Sequence, residues 1–282
     1  MGAKFKRPIV VINSVAPGRT ATARVEVGRR INKVVLHVTA TGQVANQIID
    51  TITVKVAGKP QRTFTPDELQ AMYLLMGEAG STQYGIQNNV AGQQIDIPLW
   101  FREPWRKGYQ TSRIMGWATG DVKEDEFVIE IKVLGSADAS TSISASVEYD
   151  NPMNNGVALA MGEISKWYEE DIEVTGLTKT YPLPKFDSLQ SISLNDSNIT
   201  KVELIVGDVT VREIFTQENS SDLTGDGMTP SATWFHLVLD NDDDSLSAIP
   251  LQGQKNGYLK LTLNDGTPRN IRALIQRIGP RD

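Results

Sequence analysis

The chain has 282 residues, enough for one large or two modest domains of ~100–200 residues each. With 40% hydrophobic and 22% charged residues it is globular rather than disordered. A formal net charge of −6 and a pI near 5.1 argue against sequence-specific nucleic-acid binding, and the absence of cysteine excludes a disulfide framework and thiolate metal sites.

Stability must therefore come from packing or assembly, which suits a protein made in a reducing cytosol. The N-terminal basic cluster Lys4, Lys6 and Arg7 is either a solvated terminus or an arm for an anionic surface such as lipid head groups, at up to ~1 kcal/mol per charge. The longest early apolar run, Ile9 to Ile12, is too short for a signal-peptide core. No run approaches the ~18–20 apolar residues that span a bilayer. Met1-Gly2 starts like a myristoylation signal, but Lys6 stands where Ser or Thr is required.

Alternation of apolar and polar residues then dominates. The first strand is expected at Pro8–Ile12, and Ala23–Val27 leads into Ile31–Ala40. Val34, Leu36 and Val38 alternate with Lys33, His37 and Thr39; Ile52, Val54 and Val56 alternate with Thr51, Thr53 and Lys55. A period of two places one face in a core. Thr65-Pro66-Asp67-Glu68 opens a helix: Thr65 caps, Pro66 fits the first helical position, Glu68 completes a capping box, and Gly77 or Gly80 ends it.

The stretch from Trp100 to Gly108 sets Trp100, Phe101 and Trp105 beside Arg102, Arg106 and Lys107. It is either a buried loop or a surface for contact. Trp100, Arg102, Trp105 and Arg106 are the candidates for a subunit interface. Strands resume at Phe127–Val133 and Ile143–Tyr149, the second with serines on its outer face. Asn151–Gly156 has the Pro, Asn and Gly content of a linker, and Val157–Ile164 is expected to form a short bridging helix. The domains are then 1–150, a linker at 151–166, and 167–282.

In the second half, Val202–Val206 is followed by Gly207-Asp208 and by Thr210-Val211-Arg212-Glu213, which predicts a second capped helix. Phe235–Leu239, Leu259–Leu263 and Ile271–Ile275 alternate again. Between them the loop Asp240-Asn241-Asp242-Asp243-Asp244 offers oxygen donors that suit Ca²⁺, with Asp240, Asp242 and Asp244 as candidate ligands. It lacks the glycine and terminal glutamate of an EF-hand, and a solvated hairpin tip is the plainer reading. Asp222 and Asp226 form a second acidic loop. His37 and His236 are the two histidines, and each reads as a polar strand position.

Many short strands with turns between them predict an all-β sandwich or barrel class. The order strand, tight turn, helix occurs in both halves, so the chain reads as two copies of one unit. These features together resemble the double jelly-roll major coat proteins of icosahedral, membrane-containing bacteriophages of the corticovirus type. The shared points are the length, the basic start before the first strand, one helix insertion per half, and the join at Asn151–Gly156.

The resemblance implies an all-β fold of two tandem jelly-roll β-barrels. It implies a structural protein, not an enzyme, forming homotrimeric pseudo-hexagonal capsomers over an internal lipid membrane. Its partners would be itself, neighbouring capsomers, penton and minor capsid proteins and the viral membrane, with Lys4, Lys6 and Arg7 toward that membrane. No cofactor is required, although calcium matters for some members. Localisation would be the virion capsid, with assembly in the host cytoplasm. The alternative is a carbohydrate-binding or carbohydrate-cleaving β-sandwich, since jelly rolls also host such proteins. No nucleophile elbow, P-loop or dinucleotide fingerprint is present in the sequence.

Overall fold

Apolar alternation builds strands along almost the whole chain. In order these are β1 (Phe5–Ile9), β2 (Ile12–Asn13), β3 (Thr20–Arg24), β4 (Arg30–Thr39), helix α1 (Ala45–Ile48), β5 (Ile49–Val56), β6 (Lys59–Phe64), helix α2 (Pro66–Leu75), β7 (Ile95–Trp100), β8 (Trp117–Ala118), β9 (Phe127–Val133) and β10 (Ser142–Asp150). There follow β11 (Met153–Asn154), β12 (Val157–Ala158), β13 (Glu163–Val174), β14 (Thr178–Pro182), β15 (Ser188–Leu194), β16 (Ile199–Val206), β17 (Val209–Phe215), helix α3 (Thr216–Gly225), β18 (Phe235–Val238), β19 (Ile249–Pro250), β20 (Gly257–Leu263) and β21 (Arg269–Pro280). This computed structural model describes residues 5–9, 12–77, 83–106, 116–150, 153–154, 157–185, 187–239, 248–254 and 256–282.

The chain divides into two compact units, one of Met1–Tyr73, Thr82–Lys166 and Pro280–Asp282, the other of Leu74–Ser81 and Trp167–Gly279. In the first, one sheet has the order β1-β10-β4-β7, with β8 also on β4, and a second has β6-β5-β9-β3-β2. In the second unit the corresponding orders are β13-β21-β15-β18, with β19 also on β15, and β17-β16-β20-β14.

Counting the eight main strands of each unit in chain order, both units read first-eighth-third-sixth in one sheet and second-seventh-fourth-fifth in the other. That is the jelly-roll topology, present twice. The helix between the fifth and sixth strands recurs as well, as α2 and then α3.

The alternating residues lie where the period of two puts them. Val34, Leu36 and Val38 of β4, Ile52, Val54 and Val56 of β5, and Phe127, Ile129 and Ile131 of β9 are all fully buried. In the second unit Ile192, Leu194, Val202, Leu204, Leu259, Leu261, Ile271 and Ala273 belong to one apolar core. Each such aliphatic side chain contributes about 1.5–3 kcal/mol through burial, so two cores of this kind can stabilise two barrels without cross-links.

Two hairpins show the repeat at atomic level. β5 and β6 join through Ala57-Gly58, with Val56 opposite Lys59 and φ of 52° and 79°. β16 and β17 join through Gly207-Asp208, with Val206 opposite Val209 and φ of 61° and 65°. Positive φ at both central residues marks the two-residue turn that matches strand twist.

That second hairpin corrects one expectation. Thr210-Val211-Arg212-Glu213 is not a helix start but lies within β17, where Thr210 faces Ile205 and Glu213 faces Glu203. The hairpin turn and the β-branched Val209, Thr210, Val211 and Ile214 favour the strand over the capping box; the helix begins later, at Thr216. The first capping box does form: Glu68 N–H donates to Thr65 Oγ1 at 3.3 Å and Thr65 N–H to Glu68 Oε2 at 2.7 Å.

Val157–Ile164 is likewise not a helix. Val157 and Ala158 pair with Asn154 and Met153, and Ile164 lies in β13. Asn155-Gly156 between them is a strong hairpin signal. The first strand starts at Phe5, earlier than expected, because Phe5–Ile9 pairs with Tyr149–Ala145 of β10.

Candidate assembly surfaces

The aromatic and basic stretch after β7 turns inward. Trp100 is 8% exposed, Phe101 fully buried, and Arg106 6% exposed. Arg106 pairs through its Nε with Glu103, and both side chains are almost completely buried. Phe101, Trp117 and Phe127 form a T-shaped cluster with centroids 4.8–5.9 Å apart. Tyr84 meets Trp100 and Trp105 edge-on at 6.0 and 5.7 Å.

Arg62 of β6 lies over Phe101 and Trp117 at 5.3 and 4.9 Å. It donates to the carbonyls of Ser165 at 2.8 Å and Trp100 at 2.5 Å. Burial lowers its pKa to about 10, so it stays charged at neutral pH. Tyr73, whose hydroxyl accepts from the Trp100 amide at 2.9 Å, is held above its ordinary pKa by the same burial.

The structure therefore places Trp100 and Arg106 inside the first unit rather than on an open contact patch. The cause is the buried Glu103 and the ring cluster, which draw the stretch onto the barrel. Arg102 and Trp105 keep partial exposure. Arg102 approaches Glu148 at 3.9 Å and the Trp100 ring at 5.6 Å. Lys33 lies 4.4 Å from the same ring. Arg62 and Glu103 were missed in the sequence because their spacing does not differ from that of surface polar residues. Their burial is a tertiary event.

At the N-terminus, Lys6 and Arg7 are exposed, but on β1 rather than on a free arm. Lys6 stands opposite Glu148, and Arg7 donates to Glu26 at 3.2 Å. Lys4 lies outside the described residues. So do Asp240, Asp242 and Asp244, the candidate calcium ligands. Among the described residues no group of three or more His, Asp or Glu side chains is placed to hold a metal ion.

The model of the viral coat protein P2 N-terminal domain matches residues 6–150, and that of the viral coat protein P2 C-terminal domain matches residues 166–280. The chain belongs to the viral coat protein P2 family. It is a viral coat protein with the double jelly-roll fold, a structural protein of the virion and not an enzyme.

Solved capsid proteins share the fold of this coat protein. The major capsid protein P2 of bacteriophage PM2 superimposes with a TM-score of 0.82 at 15% identity, covering 99% of this chain and 98% of that one. A chain of the PBCV-1 virus capsid gives 0.68 at 9% identity over 98% and 93%. A chain of Sulfolobus turreted icosahedral virus gives 0.70 at 10% identity over 99% and 91%. No curated protein sequence matches the chain.

The two histidines of the coat protein serve the barrels. His37 Nδ1 donates to Asp96 of β7 at 2.7 Å, and its Nε2 is hydrogen-bonded to Ser146 Oγ of β10 at 3.1 Å. One imidazole thus ties together three neighbouring strands of one sheet. His236 of β18 is 1% exposed, lies 2.8 Å from Ser193 Oγ and stacks on Trp234. Among the described residues, no helix is long and apolar enough to cross a membrane.

Proposed function

We propose that this coat protein assembles as homotrimers, each a pseudo-hexagonal capsomer of an icosahedral shell that encloses an internal lipid membrane. The observation that carries the reading is the identical strand order of the two units. Three chains with two like barrels each present six like barrels, which is the way for a three-fold object to tile a hexagonal lattice. Its partners are then copies of itself, neighbouring capsomers, penton and minor capsid proteins, and the membrane, with assembly in the host cytoplasm.

The exposed Lys6 on β1, with Lys4 and Arg7 beside it in sequence, supports a basic edge that meets anionic lipid. The aspartates of residues 240–244 support a role for Ca²⁺ in holding subunits together.

Light scattering on the purified chain, with and without Ca²⁺, tests this directly. A species of three chains is expected, with Ca²⁺ raising its share. A single chain at all concentrations in both buffers overturns the trimer. A mass indifferent to Ca²⁺ overturns the metal's role alone.

A further inference from the structure

We infer that the second jelly roll carries a binding site for a neutral sugar, set between α3 and the outer side of β18. This role is additional to building the shell, and it holds whether or not the chain is a trimer.

Phe235 and Leu237 of β18 belong to the apolar core, so His236 between them faces the other way. Asn219 of α3 donates from its Nδ2 to the His236 carbonyl at 2.8 Å. His236 lines a partly enclosed cavity of about 90 Å³ together with Asp196, Asn219, Ser231 and Trp234. That cavity adjoins an open groove of about 990 Å³, and Ser197, Thr216 and Ser220 line both. Phe215 lies along the groove with 53% of its surface exposed.

The imidazole is 1% exposed, its Nδ1 lies 2.8 Å from Ser193 Oγ, and its Nε2 has no hydrogen-bond partner in the protein. A polar atom buried without a partner is costly, so a ligand that reaches it gains more than one that meets a satisfied surface. Burial pushes the ring's pKa down to about 4, so at neutral pH the ring is uncharged. A hydroxyl both donates and accepts, and so suits Nε2 in either tautomer.

The lining selects the class of ligand. No lysine or arginine is among the described residues that line the cavity or the groove, which disfavours an anion. The one carboxylate, Asp196, already accepts from Arg269 Nε at 2.5 Å and from the Asn198 amide at 2.7 Å, which disfavours a cation. What remains is the hydroxyls of Ser197 and Ser220, the side-chain amides of Gln217 and Asn219, and the rings of Phe215 and Trp234. Hydroxyls and amides bond the hydroxyl groups of a sugar, and an aromatic face covers its C–H side. The small cavity takes one hydroxyl edge of the sugar ring, and the groove takes the rest.

Saturation-transfer NMR on the full-length chain, with the methyl glycosides of glucose, galactose, mannose and N-acetylglucosamine, tests the site. At least one of them should receive saturation and bind in the millimolar range. Phe215→Ala should weaken that binding at least about tenfold. So should His236→Phe, which keeps a ring but removes Nε2. Val209→Ala, exposed on the same strand but outside the groove, should leave it unchanged.

No binding of any of the four sugars overturns the inference. So does binding that Phe215→Ala leaves unaltered, or that Val209→Ala reduces as much. A folded His236→Phe chain that binds like the wild type overturns the cavity's part in it. Phe215 is more than half exposed, so its variant keeps the test in force even where His236→Phe does not fold.

Discussion

Arg62 Nη1 donates to the carbonyl oxygen of Trp100 at 2.5 Å, and that one contact joins the fifth and sixth strands of the first barrel. The guanidinium is buried, flanked by the faces of Phe101 and Trp117, and its Nε satisfies the Ser165 carbonyl. A charge so deep persists only because every direction around it offers an acceptor or a ring face.

Arg62→Ala should therefore be among the most damaging single changes in the chain. It leaves the Ser165 and Trp100 carbonyls without this donor and opens a cavity among aromatic rings. The expected loss is about 3–5 kcal/mol in urea unfolding. A loss under about 1 kcal/mol would mean that water or a neighbour replaces the guanidinium at no cost.

His236 makes the second barrel sensitive to acid. Burial lowers its pKa to about 4 from an ordinary 6.5. Between those values the unfolded chain binds a proton that the folded chain excludes, so stability contributed by the neutral ring is complete above pH 6.5 and declines as pH falls toward 4. The decline amounts to about 3 kcal/mol. Urea unfolding of wild type and His236→Gln at pH 7 and pH 4.5 isolates it: the wild type should lose more than the variant. Equal losses would assign the acid response to carboxylates.

The capping box at α2 predicts a moderate effect. Thr65→Ala removes the acceptor for the Glu68 amide and should cost about 1 kcal/mol in thermal or urea unfolding. A change indistinguishable from zero would show that the buried Glu68 side chain, which accepts from the Thr65 amide, suffices to start the helix.

A stabilising change is expected at Ala57. Its φ of 52° is a left-handed conformation that costs an alanine ~1–2 kcal/mol, whereas asparagine followed by glycine is the preferred pair for this turn. Ala57→Asn keeps the backbone bond to the Glu126 carbonyl and should raise stability by about 0.5–1 kcal/mol. Destabilisation would mean that the methyl group packs against something worth more than the backbone relief.

Much of this architecture was legible in the residues. Val34-Leu36-Val38, Ile52-Val54-Val56 and Phe127-Ile129-Ile131 became inner faces because a period of two admits one buried side. Thr65 and Glu68 formed their reciprocal bonds because both partners lie within one helical turn. The same three-residue spacing misled at Thr210 and Glu213. There the turn at Gly207-Asp208 had already committed the following residues to a hairpin, and a local pattern cannot report which of two local signals a sheet will reward.

The surfaces were harder to read than the cores. Trp100 and Arg106 resemble an exposed contact as a string of letters, and only the positions of Glu103, Tyr73 and Arg62 in space reveal that they turn inward. Val209, Val211 and Phe215 have the residue types of a core strand, yet they face outward because nothing in the described chain covers β17. The sequence by itself determined the alternating strands and the first capped helix, since each depends on neighbours a few residues apart. Only the tertiary structure decided which charged groups are buried and which strand edge stays open, since both depend on what the fold brings from a hundred residues away.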